Sequence, residues 1–219
     1  MARHESRNPP KRANPVEQKL FAAAMRAFAE RGFADVSLDD LARAARATKP
    51  MVHYYFGSKA KLYRAVVHEA FAVLRRAEAE ADAPELNAHE RLALLVRAEF
   101  EVLRERPEVG RLIYRTAYAQ SPGTPAIDHW ALFLPGFQQV VAIVEAGQAE
   151  GLIAPGPAPG LALPLFGLIS IHAQVHLAGP MGALLDDEAA DRVVALYLRG
   201  VGAPRPAVNA SAASARRGR

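Results

Sequence analysis

Six basic residues and two adjacent tyrosines lie in a part of this sequence that has no acidic residue. The stretch RATKPMVHYYFGSK, residues 46–59, holds three of the bases, a histidine and both tyrosines. The bases between residues 41 and 68 are Arg43, Arg46, Lys49, Lys59, Lys61 and Arg64. Exposed helices usually mix both signs of charge, so such a segment favours contact with a polyanion such as nucleic acid. A merely basic surface is the alternative.

Composition bounds the rest of the chain. With 219 residues, 51% of them hydrophobic, it can bury a substantial core in one large domain or in a small domain joined to a larger one. The absence of cysteine excludes disulfides and thiolate metal sites and suits a reducing cytosol, so we expect a cytoplasmic protein. No apolar run follows the basic residues at the start, so we expect no secretory signal there.

The net charge of +4 comes from the two ends of the chain. Residues 1–14 carry four bases and one acid, residues 203–219 carry four arginines and no acid, and the part between is net negative. We expect a flexible basic arm at 1–14 and a disordered basic tail at 203–219. The overall charge is therefore no evidence for a nucleic-acid partner, whereas the local basic segment is.

Capping and stop residues delimit the elements that would position this segment. They predict helices at about 15–31, stopped by Gly32 with Phe33 folding back; at about 38–45, capped by Ser37; from Thr48 to Phe56; and from Ser58 to about 81.

The third of these helices has two distinct sides. Val52 and Phe56 are four residues apart and form an inward apolar pair, which places Tyr54 on the opposite side. Pro50, Met51 and His53 share that outward side, with Lys49 and Tyr55 flanking the inner pair. Two short helices joined by a tight turn, the second with an outward polar and aromatic face, form a helix-turn-helix whose second helix fits the major groove of DNA. Surface-facing core tyrosines are the alternative, which we prefer only for Tyr63.

The second half of the chain also predicts helices, and no strand pattern of useful length occurs, so the fold class is all-α. These helices open at Asn87, run from Pro107 to about Tyr118, from Thr124 to about Gly147 with a kink or division at Pro135-Gly136, from about 161 to 178, and from Asp186 or Asp187 to about Arg199.

No Asp, Glu, Lys or Arg occurs from Gly151 through Leu185. A membrane span is one alternative, but it needs about 20 apolar residues, and the polar residues that start at His172 arrive sooner. A helix that is apolar all round is instead buried, here against its own domain on one face and a second subunit on the other. His172 and His176 have the spacing that lets two imidazoles share a metal. With no acidic partner nearby in sequence, we interpret them as hydrogen-bonded core residues and predict no metal and no cofactor.

From Gln18 to Phe71 the sequence resembles the DNA-binding domain of the TetR family of bacterial transcriptional regulators. The resemblance is carried by FAERGFADVSLDDLARAA and KPMVHYYFGSKAKLYRAV and covers some 55 residues without a gap. It implies a helix-turn-helix domain at 15–60 and a helical body at 61–202 that binds an effector and dimerises through its last two helices. The implied function is a repressor that binds a palindromic operator and is released by a small molecule.

The resemblance also implies the contacts with DNA. Ser37 would contact phosphate at the start of the second helix. Base and phosphate contacts from the third helix would come from Thr48, Lys49, Pro50, Met51 and His53, and further phosphate contacts from Tyr54, Tyr55 and Lys59.

An effector pocket in the body is likewise implied by the resemblance, and we expect aromatic side chains and a histidine to line it. The candidates are Phe100, Tyr114, Tyr118, Trp130, Phe133, Phe137, His172 and His176. Such a lining would suit an aromatic or aliphatic effector with one polar handle, and plain core packing is the alternative for each residue.

Two residues depart from the family's pattern. Arg46 stands where the family usually has glycine, at a turn position that favours a positive φ. His53 replaces the usual tyrosine, so operator preference could be unusual or weakly dependent on pH.

Two other function classes compete with a ligand-responsive repressor. An enzyme is disfavoured because no nucleophile elbow, phosphate loop or HExxH pattern occurs and acidic residues are sparse in the expected pocket region. A DNA-binding protein without an effector, or one controlled by a partner protein, is the second alternative.

Overall fold

The computed structural model describes residues 14–118, 122–179 and 185–203, and the helices in these ranges confirm an all-α fold. They are α1 Pro15–Arg31, α2 Leu38–Ala44, α3 Lys49–Phe56, α4 Lys59–Glu78, α5 Ala88–Glu105, α6 Pro107–Tyr118, α7 His129–Ala149, α8 Ala158–Ala178 and α9 Asp187–Val201, with a 3₁₀ turn at Ala79–Ala81. An isolated β-bridge pairs Ile153 with Gly202. Almost all of the predicted tail at 203–219 and of the predicted arm at 1–14 lies outside the described residues.

The end of α1 follows its stop signal. Gly32 adopts a φ of 82° and donates its backbone N–H to the Phe28 carbonyl. Phe33 then folds back, with its ring 6.1 Å from that of Phe28 and 5.2 Å from that of Tyr63, which is itself buried as expected.

The turn between α2 and α3 carries the one non-glycine residue with a positive φ in the described chain. Arg46 has a φ of 53°, as its place at a glycine-favouring position predicts. The Ala47 N–H donates to the Ala42 carbonyl at 2.8 Å and closes the turn. Thr48 occupies the N-cap position of α3, but its side chain makes no capping hydrogen bond.

The buried side chains form two hydrophobic cores. The first joins α1, α2, α3 and α4 around Leu20, Phe28, Leu41, Val52 and Leu62, and it continues into α6 through Val109 and Leu112. The second joins α5, α7, α8 and α9 around Leu92, Phe100, Val144, Leu165 and Tyr197. Helices α4 and α6 therefore connect the helix-turn-helix to the rest of the body.

The start predicted for α7 was wrong. The helix begins at His129, where the Asp128 side chain accepts from the Ala131 N–H at 2.9 Å, and not after Thr124. The preceding residues are held against α4, because the Arg64 side chain donates to the Ala126 carbonyl at 3.3 Å and Ile127 packs on the first core.

Of the kink or division predicted at Pro135-Gly136, the division was wrong, since α7 continues to Ala149 with Pro135 inside it. A Cβ at Gly136 would collide with the Arg75 guanidinium, so this glycine admits a neighbouring side chain and does not end the helix. Helix α8 begins at Ala158, three residues earlier than predicted, because Pro159 lies in its first turn, where proline is tolerated.

Helices α7 and α8 are long and apolar enough to cross a membrane by length and composition alone. Their most apolar windows have mean hydropathies of 1.2 and 1.5, and both helices pack in the body described above. Core helices of soluble proteins pass the same test, so this is weak evidence for a membrane protein.

Candidate functional sites

The outward side of α3 is exposed as its pattern predicts. Tyr54 is 82% exposed while Val52, on the opposite side, is 1% exposed. Pro50 and His53 are exposed beside Tyr54, whereas Met51 is half-buried against the first core. The helix is therefore held by its inner side and offers a polar and aromatic side to solvent.

Lys49 has an anionic partner that the sequence pattern did not indicate. Its Nζ donates to the Asp39 Oδ2 at 2.9 Å, which joins the start of α3 to the start of α2. Both side chains are about half exposed, so the pair is a weak surface contact that a phosphate or a base can replace.

The remaining α3 side chains make local contacts. The His53 Nδ1 lies 3.0 Å from the Gly57 carbonyl and donates to it when it carries the proton, which directs Nε2 outward. The Tyr54 and Tyr55 rings meet edge to face at 5.0 Å, and Tyr55 is half-buried.

Two of the predicted phosphate contacts are occupied within the chain. The Ser37 hydroxyl accepts from the Asp40 N–H and donates to its carboxylate, and these hydrogen bonds lower the pKa of Asp40. The Lys59 Nζ lies 4.3 Å above the Phe33 ring and 3.4 Å from the Ala34 carbonyl. Burial lowers the pKa of Lys59.

A second candidate site is a cavity of about 110 Å³ lined by residues of α4, α5, α6, α7 and α8. Aromatic rings form much of its wall, and Arg75 interacts there with Glu78 and Glu99. The lining residues used below are Phe71, Arg75, Glu78, Glu99, Tyr114, Tyr118, His129, Phe133 and Phe166.

One guanidinium in this cavity faces two buried carboxylates. Glu78 is fully buried and forms an ion pair with Arg75, although neither carboxylate oxygen has a hydrogen bond to the described residues. Glu99, 7% exposed, interacts electrostatically with Arg75. Burial raises the pKa of Glu99 to about 7, and the positive charge of Arg75 opposes that rise.

Two further polar groups lie at the cavity. Burial lowers the pKa of His129, which favours a neutral imidazole, and its buried Nδ1 has no hydrogen-bond partner among the described residues. The Tyr114 hydroxyl donates to the Ser170 carbonyl at 3.4 Å, and burial raises the pKa of this phenol to about 12.

The structure brings only some of the expected pocket residues to this cavity. Tyr114, Tyr118 and Phe133 line it. Phe100 is buried in the second core beside His172, whose Nδ1 lies 2.7 Å from the Leu168 carbonyl. The remaining candidates, Trp130, Phe137 and His176, are not among the residues that line the cavity.

The expectation of few acidic residues near the pocket was wrong, because Glu78 and Glu99 both line it. The sequence did contain a signal for them. Each falls on the inner apolar stripe of its helix: Glu78 follows Phe71 by seven residues, and Glu99 precedes Phe100 on the stripe of α5. A charged residue on such a stripe is a candidate for function.

Helix α6 connects the cavity to the helix-turn-helix. Tyr114 and Tyr118 stack with their ring centroids 6.0 Å apart and separate the cavity from an open cleft of about 620 Å³ between α1, α6 and α8. On the same helix, Arg115 donates to the carbonyls of Ala29 and Glu30 at 3.3 and 3.0 Å. These carbonyls end α1, where the helix dipole favours a cation.

The described residues contain no group of three or more His, Asp and Glu side chains that could hold a metal ion.

Comparison with known proteins shows that the chain is similar to bacterial transcriptional regulators. Residues 20–66 match the family described as bacterial regulatory proteins, tetR family. The repressor NicS of Pseudomonas putida is 27% identical over 64% of this chain and 66% of its own length. The repressor SCO4008 of Streptomyces coelicolor is 29% identical over 67% of this chain and 72% of its own length.

Other curated relatives match over about half of their length, at 47% and 49%. Among solved structures, the regulator FadR of Bacillus subtilis in complex with stearoyl-CoA aligns with a TM-score of 0.69 at 17% identity. That alignment covers 84% of this chain and 98% of FadR, and it shows a shared fold.

Proposed function

This chain belongs to the TetR family of bacterial regulatory proteins, and on that premise we propose that it is a cytoplasmic, ligand-responsive repressor. A dimer binds a palindromic operator and leaves it when a small molecule occupies the body. The observation that carries the proposal is the outward side of α3, where Tyr54 is 82% exposed on a helix anchored by buried Val52.

On DNA, we assign base readout to the exposed side of α3 and phosphate contacts to its borders. Lys49 exchanges Asp39 for a guanine or a phosphate, and His53 faces base edges. The Tyr54 and Tyr55 hydroxyls, together with Thr48, Ser37 and Lys59, hold phosphates, while Pro50 and Met51 contact thymine methyl groups.

The dimer forms through α8 and α9. Leu163 and Ile171 on α8 are each 54% exposed, and Leu196 on α9 is 51% exposed. A helix without charged residues that exposes large aliphatic side chains needs a cover, and a second copy of the same pair of helices gives an isologous four-helix bundle. The two helix-turn-helix domains of the dimer then bind the two half-sites of the operator.

Coupling between ligand and DNA runs through α6. A ligand that displaces Tyr114 or Tyr118 moves the helix whose Arg115 caps the end of α1. Release requires that the ligand binds the moved state more tightly, because equal affinity for both states shifts no population. A regulator without an effector remains the alternative, for which α6 would be a fixed connector.

Selection from a random pool of duplex DNA tests the proposed function. The full chain should enrich a pseudo-palindrome with strongly salt-dependent affinity. A ligand that raises the melting temperature and also releases this DNA supports the repressor, whereas enrichment of no sequence contradicts it.

A further inference from the structure

The charged groups of the inner cavity include fewer positive than negative ones. Among the described residues that line it, Arg75 alone is a cation paired with Glu78 and Glu99. Buried carboxylates without full pairing are costly, and the cost falls when a cation or a hydrogen-bond donor reaches them.

Acceptor groups without donors accompany this imbalance. The Oε1 of the fully buried Glu78 and the buried Nδ1 of His129 lack hydrogen-bond partners among the described residues, whereas Glu78 Oε2 meets the Arg75 guanidinium in the ion pair. A ligand head that reaches these groups must therefore donate hydrogen bonds. An ammonium group does so, and its charge favours the ionised form of Glu99, whose pKa burial raises to about 7.

The rest of the wall suits an apolar body next to such a head. Phe71, Phe133 and Phe166 line the cavity, and the Phe133 and Phe166 rings meet at 4.9 Å. Ring faces also attract a nearby cation. Of the described residues that line this cavity, only Arg75 carries a permanent positive charge.

The volume limits how much of the ligand fits inside. A cavity of about 110 Å³ takes an ammonium group and a few carbon atoms, since a water molecule occupies roughly 30 Å³ in the liquid. The remainder of the ligand must pass the stacked Tyr114 and Tyr118 toward the cleft of about 620 Å³ that they also line.

We propose that the effector is a primary or substituted amine carrying an apolar or aromatic group, with its cation at Glu99 and its body between the cavity's rings. This inference rests on the proposed function for the ligand's regulatory role. The cation site itself is independent of that role.

A matched set of probes tests the charge requirement. The probes are 4-phenylbutylamine, 4-phenylbutanol and 4-phenylbutyrate, which differ in the charge of one terminal group, and binding to the full chain is measured by calorimetry. The amine should bind about tenfold or more tightly than the alcohol, and the carboxylate most weakly. Equal or tighter binding of the alcohol or the carboxylate, or no amine binding at millimolar concentration, overturns the proposal.

Two variants locate the site. Glu99→Gln should weaken amine binding about tenfold or more while changing alcohol binding little. Glu101→Gln, an exposed carboxylate two residues along α5, is the matched control and should keep full amine affinity. Amine affinity that survives Glu99→Gln overturns the assignment.

DNA release by the same probes separates this inference from the proposed function. An amine that binds through Glu99 without releasing the selected DNA supports the site and contradicts its regulatory role. A carboxylate probe that binds and releases DNA supports the repressor and overturns the amine site.

Discussion

At residue 46 the sequence places a side chain where the backbone of the turn needs a positive φ. Arg46 adopts a φ of 53° in the turn of the helix-turn-helix, a region that costs a non-glycine residue about 1 kcal/mol. The family resemblance predicted this strain because glycine is usual there, and the structure confirms the backbone conformation.

Replacing Arg46 by glycine should therefore raise the free energy of unfolding by up to about 0.6 kcal/mol, because the added freedom of the unfolded chain offsets roughly 0.4–1 kcal/mol of the relieved strain. Urea denaturation measures the change. Arg46→Ala is the control, because it removes the same charge and keeps the strained φ. A glycine variant less stable than the alanine variant by about 0.4–1 kcal/mol, the entropic cost alone, would show that the turn carries no strain.

The buried carboxylate of Glu99 makes stability depend on pH. Burial raises its pKa from 4.5 to about 7, so the folded chain holds a proton that the unfolded chain releases. This group's stabilising contribution is complete below about pH 4.5 and is lost as pH rises through about 7. The groups around it are Arg75 and Glu78 on α4, Tyr114 on α6 and His129 on α7.

Glu99→Gln should remove that dependence. At about pH 8 the variant should be more stable than the parent by roughly 1–3 kcal/mol, and at about pH 5 the two should be alike. Urea unfolding at both pH values measures this difference in stability. The lowered pKa of His129 acts in the opposite direction in both proteins, so the comparison isolates Glu99. A pH profile unchanged by the substitution would contradict the assignment.

At the scale of elements, the sequence correctly predicted those helix ends that depend on residues close by in the chain. Gly32, Ser37 and Asn87 mark helix ends correctly because each cap depends on its own neighbours. The start of α7 failed because Arg64, more than sixty residues away in sequence, holds the preceding backbone. The carboxylates of the cavity were overlooked because their meeting depends on how α4 and α5 pack.

In the proposed function, coupling between ligand and DNA depends on helix α6. Arg115→Met removes two hydrogen bonds to the carbonyls that end α1 and keeps the apolar stem of the side chain. We expect a loss of about 1–2 kcal/mol in stability and weaker DNA binding, because the helix-turn-helix domain loses two of its contacts with α6.

Arg111→Met is the matched control for that experiment. Arg111 lies one turn earlier, lines the same outer cleft and makes no hydrogen bond or ion pair to the described residues. Thermal unfolding and DNA-binding anisotropy measure both variants. Equal effects of the two substitutions would show that the hydrogen bonds of Arg115 to the end of α1 have no particular importance.

At the scale of the whole molecule, the exposed aliphatic surface of α8 and α9 predicts a dimer. Leu163→Glu with Ile171→Glu should give a species of the single-chain mass, 23.6 kDa, whereas the parent should have twice that mass. Buried like charges would face one another across the two-fold axis.

Light scattering after size exclusion measures the mass. Tyr54→Glu, at a still more exposed position on α3, is the control and should stay dimeric. A parent protein that is monomeric, or a double variant that remains a dimer, would contradict the proposed interface.

DNA binding by α3 is the claim on which the whole account depends, and Lys49→Ala with Tyr54→Ala tests it most directly. Fluorescence anisotropy with the selected duplex should show binding lost at physiological salt, while circular dichroism shows a folded chain. The control, Arg97→Ala, removes an exposed cation on α5 and should bind as the parent does. Undiminished affinity of the folded double variant would contradict the account.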